Sequence, residues 1–176
     1  MLADPNFQGE FNVLGLSQGG LIARHIAERC PVKGKVRNLA TLGGPNMGVS
    51  KVPNCFDGLI CGVINFVAKE LVYFSIVQNW IGPAGYFRNP SDLVDYVNYS
   101  VFLPYVNGEK QDSNTEAVYT RFSSLNAALF VMFSEDTIIY PKETAWFSQI
   151  QADGTILPVN QTSFYQNDLI GFKTLD

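Results

Sequence analysis

The 176-residue sequence predicts an α/β protein, part of a parallel sheet interrupted by a mostly helical insertion. Three observations carry this. "FNVLGL" (residues 11–16) is a short apolar run that ends on a Gly-x-Ser turn, the pattern of a buried strand. "GLIARHIAER" follows at once, with Leu21, Ile22 and Ile26 at helical spacing, and Pro31 stops that helix. "KVRNLATLGG" then restores a strand pattern over residues 36–42 and closes on paired glycines. Strand, helix and strand in about thirty residues make a βαβ unit, and its crossover sets the two strands parallel.

The pattern then changes. Residues 45–125 offer no convincing sheet strand: apolar helical stretches (59–80, then "SDLVDYVNY") alternate with the turns "IGPAG" and "RNPSD" and with a polar surface loop at 107–116. "ALFVMFSEDTIIYP" brings back a buried strand at 129–133 that runs into an acidic loop, and "FYQNDLIGFKTLD" follows. The expected division is a partial core from residues 1–44 and 126–176, with 45–125 inserted as a mostly helical cap. An open parallel sheet wants more strands than these, so the sheet is expected to begin in its middle.

Composition narrows the function. Hydrophobic residues make up 47% of the chain and the net charge is −4, with Lys and Arg scattered. No basic stripe is present for nucleic acid, and an anionic membrane is a poor partner. The start, "MLADPNFQGE", has no basic segment followed by an apolar one, so no signal peptide is expected in the chain as written. The most apolar run, residues 58–80, has Lys69 and Glu70 in its middle, which reads as a packed helix pair and not a transmembrane segment. No metal or cofactor motif occurs. The three cysteines are Cys30, Cys55 and Cys61; Cys55 and Cys61 stand close together in "PNCFDGLIC", where a local disulfide would fit.

The chemistry lies at Gly15-Leu16-Ser17-Gln18-Gly19, a Gly-x-Ser-x-Gly match between the first strand and the first helix. Such a turn is strained and lifts the serine hydroxyl above the sheet, as in the nucleophile elbow of α/β-hydrolases. Side chains two residues before or after the serine are expected to crowd the turn, and Gly20 to let the helix approach the sheet. The Gln18 amide would point at a developing oxyanion, helped by the positive end of the helix. A serine of this kind needs a base, and His25 is the chain's single histidine. Eight residues along the helix place it about 12 Å away, against the roughly 3 Å of a hydrogen bond, so His25 is a boundary residue and not the base. The acid is expected in the loop after the later strand, where Asp136 and its neighbour Glu135 both qualify.

These residues resemble the palmitoyl-protein thioesterases, lysosomal α/β-hydrolases that remove long fatty acyl groups from protein cysteines. "LADPNFQGEFNVLGLSQGG", "RCP" at 29–31, the glycines at 43, 44 and 48, "NYSVFL", Asp136 to Pro141, Trp146-Phe147 and "SFYQNDLIGFKTLD" match the family in order. The resemblance implies that Ser17 is the nucleophile, Gln18 an oxyanion donor and Asp136 the acid, with no cofactor and with S-palmitoylated proteins as substrates. It implies that residues 45–125 help form an acyl groove and that Cys55 pairs with Cys61. It also implies that Cys30 pairs with a cysteine outside this chain. The first strands, the second oxyanion donor and a signal peptide would lie before Met1, and the triad histidine and final strand beyond Asp176. The expected fold is therefore a partial α/β-hydrolase, with the full family member in the lysosome or secretory pathway. Asn98 and Asn160 head glycosylation sequons. These residues alone are expected to be nearly inactive; a non-catalytic acyl-binding product and a lipase-like ester hydrolase are the alternatives.

Overall fold

The computed structural model describes residues 4–51 and 70–176. Cys55, Cys61 and the part of the apolar run before Glu70 lie outside the described residues. β1 (Glu10–Leu16), α1 (Gln18–Glu28) and β2 (Lys35–Leu42) form the expected βαβ unit. β3 (Ala127–Val131) completes a three-stranded sheet in the order β1-β2-β3, with both pairings parallel. β3 starts and ends two residues earlier than its apolar pattern indicates. Ala127 and Ala128, weak strand formers, are drawn into the ladder opposite Asn38 and Leu39. Met132 and Phe133 are then released where the Gly43 N–H takes the Val131 carbonyl at 2.8 Å.

One sheet face holds the core. Val13, Leu39, Ala128 and Phe130 meet Ala23 and Ala27 of α1, and Val118 and Phe122 of a later helix close over them. The opposite face carries Leu14, Leu16 and Leu129 at 66%, 60% and 59% exposure, above a ladder of Asn12, Asn38 and Asn126 side chains. Parallel sheets are ordinarily covered on both faces; among the described residues this one is covered on one.

Between β2 and β3 the chain forms α2 (Ser75–Trp80), a 3-10 turn (Gly82–Tyr86), α3 (Leu93–Tyr99), α4 (Leu103–Val106) and α5 (Thr115–Ser123). Asp92 caps α3 by accepting from the Asp95 N–H. No strand occurs here among the described residues, only an isolated bridge between Val49 and Phe87. A second apolar cluster joins Val49, Tyr86, Tyr96 and Leu103 to Leu21 of α1 and to Ile139 beyond β3. The polar segment expected at 107–116 is not all surface: Asn107 is fully buried and receives a hydrogen bond from Arg24. After β3 come a 3-10 turn (Lys142–Trp146), a small antiparallel pair of β4 (Gln149–Ile150) and β5 (Ile156–Leu157), then α6 (Ser163–Gln166) and α7 (Phe172–Leu175). No helix of the described residues is long and apolar enough to cross a membrane.

α1 differs from its apolar pattern in an instructive way. Ile22 is exposed, while Arg24 and Glu28 lie on the buried face with Leu21, Ala23 and Ala27. The two charges stand one helical turn apart and pair, Arg24 Nε donating to Glu28 Oε1 at 2.8 Å, with both side chains wholly buried. Burial outweighs the attraction of Arg24 and pushes the Glu28 carboxyl up to about 7. A raised carboxyl stabilises the fold fully below its unfolded value near 4.5, and that contribution is lost as pH rises through about 7. Stability is therefore expected to fall by up to about 3 kcal/mol between pH 5 and pH 8 through this group. Glu28→Gln should flatten that part of the profile. Urea unfolding of both proteins at several pH values measures it, and parallel profiles would refute it.

Candidate active site

The register brings the three strands to a common carboxyl edge, with Leu16 opposite Leu42 and Leu42 opposite Val131. Crevices at such edges are where open α/β sheets bind ligands. Ser17 follows β1, Gly43 follows β2, and the loop carrying Asp136 follows β3. Ser17 adopts φ 52 and ψ −126, a conformation costly for a residue with a side chain. It is pinned on both sides: its N–H donates to the Leu42 carbonyl and its carbonyl accepts from the Gly20 N–H, both at 2.8 Å. The side chain is exposed at the amino end of α1. Gln18 is the first helical residue, so its N–H is among the four that have no partner within the helix.

The glycines of the motif are not equivalent. A Cβ at Gly15 would lie 2.0 Å from the Gly19 carbonyl oxygen, and one at Gly20 would press on Thr41 and Gly44 at 3.1 and 3.2 Å. At Gly19 it would meet nothing within 4 Å, so the expectation that crowding requires glycine there is corrected. The crowding comes only from the strand side, because the helix turns residue 19 outward. Gly15→Ala is expected to cost more than about 3 kcal/mol, whereas Gly19→Ala should be neutral or stabilise by up to about 1 kcal/mol through helix propensity. Urea unfolding of the two variants separates them.

Asp136 is held by its own turn, Oδ1 accepting from the N–H groups of Ile138 and Ile139 at 2.8 and 3.0 Å. Its Oδ2 faces Gly43, 3.7 Å from where a Cβ at that position would stand, and the Phe133 ring would be only 2.8 Å from the same atom. Gly43 has φ 56, so conformation and space both demand glycine beside the acid. No local pattern marks Phe133 or this role of Gly43, because the contact joins residues ninety positions apart. Glu135 is exposed.

His25 stands at the far end of α1, half-buried, its ring 5.6 Å from that of Phe102. The segment between β2 and β3 approaches Gln18 at Gly82, where a Cβ would lie 3.3 Å from Gln18 Nε2. The adjoining Trp80 and Ile81 are exposed, Trp80 by 84%. Asn98 and Asn160 are both exposed, and Cys30 is half-buried with no disulfide among the described residues. Among the described residues no three His, Cys, Asp or Glu side chains come together to hold a metal.

Comparison with known proteins bears on this geometry. A family model described as Palmitoyl protein thioesterase matches residues 2–176. Palmitoyl-protein thioesterase 1 of Caenorhabditis elegans is 34% identical over 177 residues, covering 98% of this chain and 58% of that protein. Palmitoyl-protein thioesterase 3 of Dictyostelium discoideum is 33% identical, covering 99% and 59%. A lysosomal thioesterase PPT2 homolog of Drosophila melanogaster is 28% identical, covering 93% and 56%. The chain thus spans less than three fifths of the length of these curated relatives.

Proposed function

The chain belongs to the palmitoyl-protein thioesterase family, and from that premise we propose that it carries the nucleophile and acid of a serine thioesterase acting on S-palmitoylated proteins. Ser17 Oγ attacks the thioester carbonyl, and the Gln18 N–H stabilises the oxyanion. The carbon–sulfur bond breaks, the thiol leaves with a proton, and water then releases palmitate from the acyl-serine. Asp136 orients the imidazole that moves these protons. His25 is too far along α1 to be that imidazole, so the base comes from outside these 176 residues. The uncharged Trp80–Ile81 rim, next to Gln18, suits the acyl chain, with residues 45–125 acting as the cap. The observation that carries the reading is the backbone of Ser17, φ 52 and ψ −126, between a strand and a helix.

The relatives' names support a lysosomal setting, in which a Cys55–Cys61 bridge and glycans on Asn98 and Asn160 are compatible features. The test is a chimera in which these residues replace the matching segment of the C. elegans relative. It should hydrolyse a palmitoyl-cysteine peptide and leave triacylglycerol untouched, while the 176 residues alone turn over neither at enzyme-like rates. A folded chimera that prefers triacylglycerol would favour a lipase. Ordinary thioesterase activity from the 176 residues alone would overturn the assignment of an external base.

A further inference from the structure

His25 plays no part in the chemistry above, yet it lines the wall of a cavity of about 680 Å³ between the carboxyl half of α1 and helices α3 and α4. Arg29 and Lys110 line the same cavity, and Asp112 is the one carboxylate there. Arg29 is fixed: Nη1 donates to the Tyr105 carbonyl at 3.0 Å and Nη2 pairs with Asp112. Lys110 Nζ donates to the Asn98 carbonyl at 2.7 Å. Both cations also flank the Tyr105 ring, at 5.9 and 5.2 Å from its centroid. Each keeps N–H groups that these bonds do not use, since a guanidinium has five and an ammonium three. His25 Nδ1 is buried without a hydrogen-bond partner. Two fixed cations against one carboxylate leave the cavity one positive charge in excess, and two when the imidazole is protonated.

We propose that this cavity binds a small oxyanion, a phosphate or sulfate group, through Arg29, Lys110 and the imidazolium of His25. The recess is partly aromatic, with Tyr99, Phe102 and Tyr105 in its lining, and can also take the organic part of a phosphate monoester. Empty, it disfavours the charged imidazole: burial first, then Arg29, hold His25 below its ordinary value. The titratable groups that line the cavity with His25 are Arg29 at the end of α1, Tyr99 on α3, Tyr105 on α4, and Lys110 and Asp112 beyond α4. An anion supplies the missing counter-charge, so binding takes up a proton at His25 and strengthens as pH falls.

The chain's only histidine is the reporter. Its ring proton resonance, assigned by its loss in His25→Gln, is followed against pH in sodium sulfate and in sodium chloride of equal ionic strength. Sulfate does not titrate between pH 5 and 8, so movement of the midpoint belongs to the imidazole. The expected result is an upward shift in sulfate beyond that in chloride, with binding at least about tenfold tighter at pH 5 than at pH 8. Lys110→Gln and Arg29→Gln should each weaken it by about tenfold. A sugar phosphate arm separates sources: tighter binding than inorganic phosphate assigns a monoester, and equal binding a free anion. Equal shifts in sulfate and chloride, or an unchanged response in Lys110→Gln, would overturn the site. Lys110→Gln suffices if Arg29→Gln fails to fold, because Lys110 Nζ makes one hydrogen bond, to an exposed carbonyl, besides its place beside the Tyr105 ring.

Discussion

Ser17→Ala is expected to reduce palmitoyl-thioester hydrolysis by the chimera about four to six orders of magnitude, with little change in stability. The loss is large because the nucleophile, base and acid act as a unit, and what remains is the contribution of the oxyanion donor and of binding. Stability should hold, because Ser17 is fixed by backbone hydrogen bonds that alanine keeps. Its hydroxyl makes no capping bond to α1. Alanine at φ 52 carries the same strain as serine, so the elbow itself survives. Asp136→Asn should cost about four orders of magnitude by spoiling the orientation of the imidazole, and Glu135→Gln less than about threefold, since Glu135 is exposed while Asp136 Oδ2 faces Gly43. Initial rates on a palmitoyl-cysteine peptide, with circular dichroism as the control for folding, decide both. Equal losses at positions 135 and 136 would remove the distinction between them.

The sequence was most informative where local rules suffice. β1, α1 and β2 are legible because a strand ending in glycine and a helix ending before proline are marked by adjacent residues, and the observed bounds differ from the pattern by at most a few positions. The strained backbone of Ser17 is legible for the same reason, because Gly15 stands only two residues before it. Features set by distant partners were not readable. β3 lies two residues earlier than its apolar pattern because alanine gains its strand conformation from Asn38 and Leu39, far off in the chain. The 3-10 turn at Lys142–Trp146, stopped at Phe147 by φ 60, and the turn that Asp136 caps through the Ile138 and Ile139 N–H groups carry no such local signal. Gly43 is pinned by Phe133, ninety residues later in the sequence, and no local signal announces that contact.

Arg24 is the costliest of these omissions. The sequence marks it only as a charge among apolar helix residues, and the ordinary reading of such a charge is a solvated face. Instead its guanidinium donates to Glu28, to the Asn46 carbonyl and Asn107 Oδ1 at 3.0 Å each, and more weakly to the Val106 carbonyl, and it stands 4.8 Å from the centre of the Phe147 ring. One side chain thereby ties the helix behind Ser17 to the loop after β2 and to the end of α4. Arg24→Met preserves much of the volume but leaves Glu28 without its counter-ion and three buried acceptors without a donor. Breaking a buried pair in this way is expected to cost about 3–5 kcal/mol, or roughly 10 °C in melting temperature for a chain of this size. Adding Glu28→Met should restore part of the loss, because it removes the uncompensated carboxyl and the desolvation that raises its pKa. The carbonyls of Asn46 and Val106 and the Oδ1 of Asn107 remain without a donor in the double variant, so recovery should be incomplete. A double-mutant cycle by urea unfolding measures the coupling. An Arg24→Met cost below about 1 kcal/mol would mean that water reaches the pair and that the tie between α1 and the end of α4 is weak.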